Sequence, residues 1–255
     1  MSNLLIDNRK ITDGIIATPG TNTNTWYCRE PNDSFSINGA FNGAESVFDW
    51  VLTKSTNSKY IKSGVLRVSA SKKSAVILFD TAFPSTDYFV FFSSTANVNM
   101  FFVDKKINRF VINASWNVGS EITWIAFHKE FAKKTGINNP GSIFLGSRTF
   151  GAPLADIVLP GGSTLETLDI TDDSYANMTS WYHNEYIIKP TAYMDSIQQL
   201  PNLDEYSTIL TASSNINIFW CEKAKDRVKI ATSYPKQCII DYLLIKKGID
   251  WWDEF

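Results

Sequence analysis

From Tyr88 to Lys129 the chain runs in short apolar blocks whose members alternate, and the alternation has a period of two. Val98, Met100 and Phe102 alternate with Asn99 and Phe101, and further on Ile122, Trp124 and Ala126 alternate with Thr123, Ile125 and Phe127. A period of two puts successive side chains on opposite faces of a strand, so the pattern predicts strands at Tyr88–Ser93, Val98–Asp104, Arg109–Ala114 and Ile122–Lys129. Ser, Asn, Gly and Lys clusters between them suit turns. Gly64–Ser69 and Ala75–Phe79 add two strand-like runs upstream. In the second and fourth blocks both faces are largely apolar, which asks for cover on two sides: one from a partner sheet, the other from another copy or another subunit.

The block recurs. Residues 203–248 align without a gap on residues 85–130 at an offset of 118, with identities such as Tyr88/Tyr206, Asn97/Asn215, Asn99/Asn217, Lys105/Lys223 and Ile112/Ile230. Substitutions keep size where a core demands it, as in Phe102/Trp220, Trp116/Tyr234 and Trp124/Tyr242. A weaker copy starts at Asn22, where TNTNTWYCREPNDSFSINGAFN aligns at an offset of 75, and one deleted residue then brings Trp50 over Trp124. Each copy begins its second strand with Asn-x-Asn. Those pairs, Asn22/Asn24, Asn97/Asn99 and Asn215/Asn217, suit turn chemistry, with a ligand platform presented three times as the alternative.

The predicted fold is therefore all-β: antiparallel β-sandwich modules built from three copies of a four-stranded meander. The expected domains are an N-terminal repeat module at 1–58, a second β-sandwich module at 59–130, an irregular arm or insertion at 131–185, and a third repeat module with an aromatic tail at 186–255. The arm is rich in Gly, Pro, Ser and Thr, yet its Ile143, Phe144, Leu145, Phe150 and Leu159 favour packing on a neighbour. Short helices are expected at His128–Lys134 and Ala192–Gln199.

Composition narrows the chemistry. The 255 residues are 44% hydrophobic and 14% aromatic with a net charge of −2, which excludes a disordered chain and gives no basic footprint for nucleic acid or an acidic membrane. The N-terminus MSNLLIDNRK carries no export signal pattern, and no run approaches a membrane span. Cys28, Cys221 and Cys238 lack zinc spacing; buried free thiols are expected, with a Cys221–Cys238 bridge as the alternative. His128 reads as a solvated strand end beside Lys129, and His183, flanked by Trp181, Tyr182 and Tyr186, as packing on the arm or as part of a sugar-stacking cluster. No nucleotide, zinc-protease or calcium-loop motif is present, so no catalytic, cofactor or metal residue is assigned and an enzyme is not expected. The tail ends in Trp251, Trp252 and Phe255, costly to leave in water and hence candidate assembly residues.

The blocks TDYFVFFSS, RFVINAS and ITWIAFHKE, with DEYSTILTA, RVKIATS and IDYLLIKKG, resemble the H-type lectin-like modules of tailed-phage fibres and other virion proteins. Trp124, Ile125 and Ala126 match that pattern directly; Tyr242, Leu243 and Leu244 match in character. The resemblance implies a β-sandwich working in threefold assemblies on a particle, and three copies in one chain would imitate such a trimer. It implies a bacteriophage structural protein of a tail, collar, fibre or capsid-decoration position, made in the host cytoplasm, located in the virion and holding other virion proteins and copies of itself. The alternative is a carbohydrate-binding receptor-recognition protein that takes a host-surface glycan. No sugar-binding residue carries over.

Overall fold

A computed structural model describes residues 3–6, 14–30, 34–40, 47–117, 119–131, 143–149, 157–158, 164–166, 185–192, 202–225, 227–233 and 238–248. The first module holds β1 (Asn3–Ile6), β2 (Gly14–Pro19), β3 (Thr25–Glu30), β4 (Ser34–Gly39) and β5 (Phe48–Thr53). The second holds β6 (Thr56–Asn57), β7 (Ile61–Val68), β8 (Ser74–Leu78), β9 (Tyr88–Ser94), β10 (Met100–Lys106), β11 (Arg109–Ala114) and β12 (Ser120–His128). The third holds β13 (Ile143–Thr149), β14 (Ile157–Val158), β15 (Thr164–Glu166), β16 (Glu185–Ala192), β17 (Tyr206–Ala212), β18 (Ile218–Ala224), β19 (Arg227–Thr232) and β20 (Ile239–Lys246).

The second module is a six-stranded sandwich with a short edge strand. One sheet runs β6-β7-β12-β9 and the other β10-β11-β8, all pairs antiparallel. The third module repeats it as β13-β20-β17 against β14-β15-β16-β19-β18. The first contributes β2-β5 and β1-β4-β3. Between the sheets of the second module lie Ile77, Phe79, Phe102, Phe110, Ile112 and Trp124; Val228, Ile230, Ile240, Tyr242 and Leu244 fill the third, and Ile15, Tyr27, Phe35 and Ile37 the first.

The all-β sandwich expectation holds, and the three copies fall on equivalent strands. The meander does not hold. In each copy the first strand pairs with the fourth (β2–β5, β9–β12, β17–β20) while the second and third form a hairpin in the facing sheet. The apolar faces explain the split, because a flat four-strand sheet would leave one of them in water. The arm at 131–185 is not irregular throughout either. Within it β13 pairs along its whole length with β20, Gly146 opposite Tyr242, as Gly64 of β7 stands opposite Trp124 of β12. The third module therefore starts near Ile143, and its opening strand carries no clear alternation because Gly, Ser and Arg interrupt the apolar pattern. Lys129–Phe131 are helical, but His128 still belongs to β12; Ala192 ends β16, and residues 193–199 lie outside the described residues.

The second apolar faces meet at the centre of the molecule. Ile16, Phe91 and Ile209 occupy the same position on β2, β9 and β17, Val51, Ile125 and Leu243 the same position on β5, β12 and β20, and all six belong to one buried cluster. Contacts between modules follow one rule. The first strand of each copy packs on the fourth of the next (β2 on β12, β9 on β20, β17 on β5), and the second packs on the first of the next (β3 on β9, β10 on β17, β18 on β2). The order first, second, third, first closes a ring with pseudo-threefold symmetry inside one chain.

Candidate functional site on the pseudo-threefold axis

Two interfaces of the ring carry an ion pair at the same place. Lys105 on β10 reaches Asp241 on β20 of the next copy, and Lys223 on β18 reaches Asp49 on β5. Both ammonium groups also donate to the carbonyl of the tyrosine that opens their own module's first strand, Tyr88 at 3.2 Å and Tyr206 at 2.9 Å, and both lie over an aromatic face, Phe102 or Trp220. The carboxylates are fully enclosed, and Asp241 accepts the Val90 N–H at 2.9 Å as Asp49 accepts that of Thr208 at 2.7 Å. These amides are equivalent under the repeat, so two interfaces are chemically the same.

The third interface is a variant. A β-bulge at Val103 and another at Cys221 push β10 and β18 forward by one residue, and β3 has none. Arg29, opposite Phe35, therefore takes the place of Lys105, opposite Phe110, and of Lys223, opposite Val228. Thr123 stands where the other copies have aspartate; it bonds the Tyr27 hydroxyl at 2.7 Å, and Arg29 pairs instead with Glu121 at 2.6 Å. The offset of 75 sets Glu30 over Lys105, and the bulge in β10 is what gives the place to Arg29.

Burial pushes the Glu121 carboxyl up, but hydrogen bonds from Arg29, Tyr27 and Arg67 and the Arg29 charge hold it net below the ordinary glutamate range. Desolvation pulls the Lys223 ammonium down against the pull of Asp49. Burial raises the Tyr27 and Tyr88 hydroxyls and, with Glu205 adding, Tyr206 to about 12, so all three stay neutral.

At one end of the axis the three first strands converge. Thr18, Ser93 and Thr211 hold one equivalent position: Ser93 accepts the Ala17 N–H at 3.0 Å, Thr18 accepts the Leu210 N–H at 2.9 Å, and Thr211 donates to the Val90 carbonyl. Above them a cavity of about 80 Å³ is lined by Asn24, Asn99 and Asn217, the second asparagine of each repeated pair. The backbone carbonyls of these residues accept the N–H groups of Ala40, Ser115 and Ser233, again equivalent positions. The pairs thus divide: Asn97 and Asn215 are exposed, Asn22 accepts from Asn217 Nδ2 at 2.9 Å, and the local turn bonding before β10 comes from Ser94 rather than from asparagine.

A larger open cleft of about 650 Å³ lies between the second and third modules, bounded by Asp87, Phe89, Val103, Asp104, Lys129, Ser147 and Ile239. His128 is not a solvated strand end: it is 2% exposed, packed against Tyr60 and Phe83, with Nε2 3.0 Å from the Ser85 hydroxyl. The cysteines are unbridged, and only Cys238 is buried; Cys28 is half-buried and Cys221, at its bulge, exposed. The candidate assembly residues Trp251, Trp252 and Phe255, the candidate stacking residues Trp181 and Tyr182, and His183 lie outside the described residues. Among the described residues no three His, Cys, Asp or Glu side chains gather as a metal centre would need.

No family model, no curated protein and no solved structure matches the chain.

Proposed function

We propose that this chain is a structural protein of a bacteriophage virion, of a tail, collar, fibre or capsid-decoration position, and that it works as a single-chain trimer. The observation that carries the reading is the closed ring: three copies joined by equivalent head-to-tail interfaces give one polypeptide the shape of a threefold assembly with its stoichiometry fixed by covalent linkage. Such a body suits a position where a particle presents threefold or near-threefold surroundings.

An outward apolar strip supports docking to other chains. Val76 and Leu78 of β8 and Val103 of β10 are 48, 68 and 47% exposed, on a sheet whose opposite face is core. Quantitative mass spectrometry of purified particles from a lysate is expected to find the chain at a constant copy number per particle. Leu78→Lys should leave the melting temperature unchanged and strip the chain from particles; its absence from wild-type particles would end the reading.

Glycan recognition is the second reading, and the intermodule cleft favours it. Apolar Phe89, Val103 and Ile239 beside Asp87, Asp104 and Ser147 give the mix of flat apolar surface and placed polar groups that sugar sites use. Selective signal on a glycan array, abolished by Asp104→Ala, would promote it over pure assembly.

A further inference from the structure

We propose that the cavity at the end of the pseudo-threefold axis binds one weakly hydrated monovalent cation of the potassium and ammonium class. The donors are the carboxamides of Asn24, Asn99 and Asn217, with the hydroxyls of Thr18, Ser93 and Thr211 lining the same space, one of each from every copy. Two of the carboxamide oxygens, Asn24 Oδ1 and Asn217 Oδ1, are buried without a hydrogen-bond partner among the described residues. Asn217 gives its Nδ2 to Asn22 Oδ1 at 2.9 Å, which leaves its Oδ1 as the acceptor without a partner. Buried acceptors left unsatisfied are unfavourable, and acceptors at equivalent positions around an axis are satisfied together by one cation or by a group with several N–H donors.

Charge decides the class. Among the described residues that line the cavity none is ionisable, and these offer neutral oxygens. Calcium and magnesium draw their affinity from carboxylates and give up water reluctantly, whereas rings of neutral carbonyl oxygens replace the looser hydration shell of potassium. The volume of about 80 Å³ is ample for such an ion, since about 10–15 Å³ of this measure already holds one water. The same chemistry accepts an ammonium ion, whose N–H donors would satisfy the Asn24 and Asn217 oxygens. This site stands whether or not the chain belongs to a virion.

The test is thermal unfolding of the full-length chain in potassium, ammonium, sodium, calcium and N-methylglucamine chlorides at equal ionic strength. Potassium and ammonium are expected to give a saturable rise in Tm of about 2–4 °C over N-methylglucamine. Asn217→Leu should lose that difference, and crystals soaked in thallium(I) should show an anomalous peak between the three asparagines. Equal melting in every salt with no thallium peak overturns the proposal. A response to calcium but not to potassium overturns the assigned class. Should Asn217→Leu fail to fold, thallium in the wild-type chain still decides.

Discussion

Lys223 is a cation held mostly away from water, and burial alone would favour its neutral form. Asp49, the Tyr206 carbonyl and the Trp220 face compensate it, while Asp49 in turn accepts the Thr208 amide. In such a pair most of the measured loss on breaking it comes from the orphaned charge. Lys223→Met alone is therefore expected to cost about 3–5 kcal/mol. Asp49→Asn combined with it removes the stranded charge and keeps an acceptor for Thr208, so the double variant should recover most of that loss. Urea denaturation of the cycle checks this; additive single effects would refute the coupling. Glu121 gives the pH counterpart. Its folded pKa lies below its unfolded value of about 4.5, so the ionised form adds stability above that value, and the gain is withdrawn as pH falls through the folded pKa. Glu121→Gln should therefore be less stable than wild type at neutral pH, with the gap narrowing in acid; a gap of constant size from neutral pH to pH 3 would contradict the assignment.

At the scale of the element, each complete module spends a glycine on its opening strand to seat the large aromatic of its closing strand. At Gly64 an added methyl would stand 3.3 Å from the Trp124 ring, while at Gly146 it would collide with the Tyr242 hydroxyl. Gly146→Ala is expected to lower Tm by about 4–10 °C through overpacking of about 1–3 kcal/mol, and Gly64→Ala to change it by only about 2 °C or less, since the strand also gains backbone stiffness. Equal effects would show that the two glycines are equally crowded and would refute the closer seating at Gly146. These glycines mark what one sequence conceals. The strands of the repeat were readable because period-two alternation and the 118-residue offset are local properties. Pairing was not: whether the first strand neighbours the second or the fourth depends on which faces find cover. Bulges at Val103 and Cys221 shift register without changing residue count, so the Arg29 latch had no signal in the alignment. Asn24, Asn99 and Asn217 were visible as a recurrent motif, but their convergence on one axis is a property of the ring.

At the scale of the molecule, closure makes the modules interdependent. The cluster at the axis draws Ile16 from the first module, Phe91 and Ile125 from the second and Ile209 and Leu243 from the third, so removing any module would expose the faces of the other two. A chain of independent sandwiches would melt in steps; a closed ring with a common core is expected to unfold as one unit. Calorimetry of the full chain should give a single transition with equal calorimetric and van't Hoff enthalpies. Asp241→Ala, which breaks only the latch between the second and third modules, should shift the whole transition downward rather than split it. The same closure uses up all three head-to-tail surfaces, so light scattering across a wide concentration range should report the mass of one chain. A defined trimer would show that the surfaces linking neighbouring copies are still open between chains. Two calorimetric transitions in the wild type would show instead that the axis is a contact between separate domains, and the single-chain trimer would have to be abandoned as the working unit.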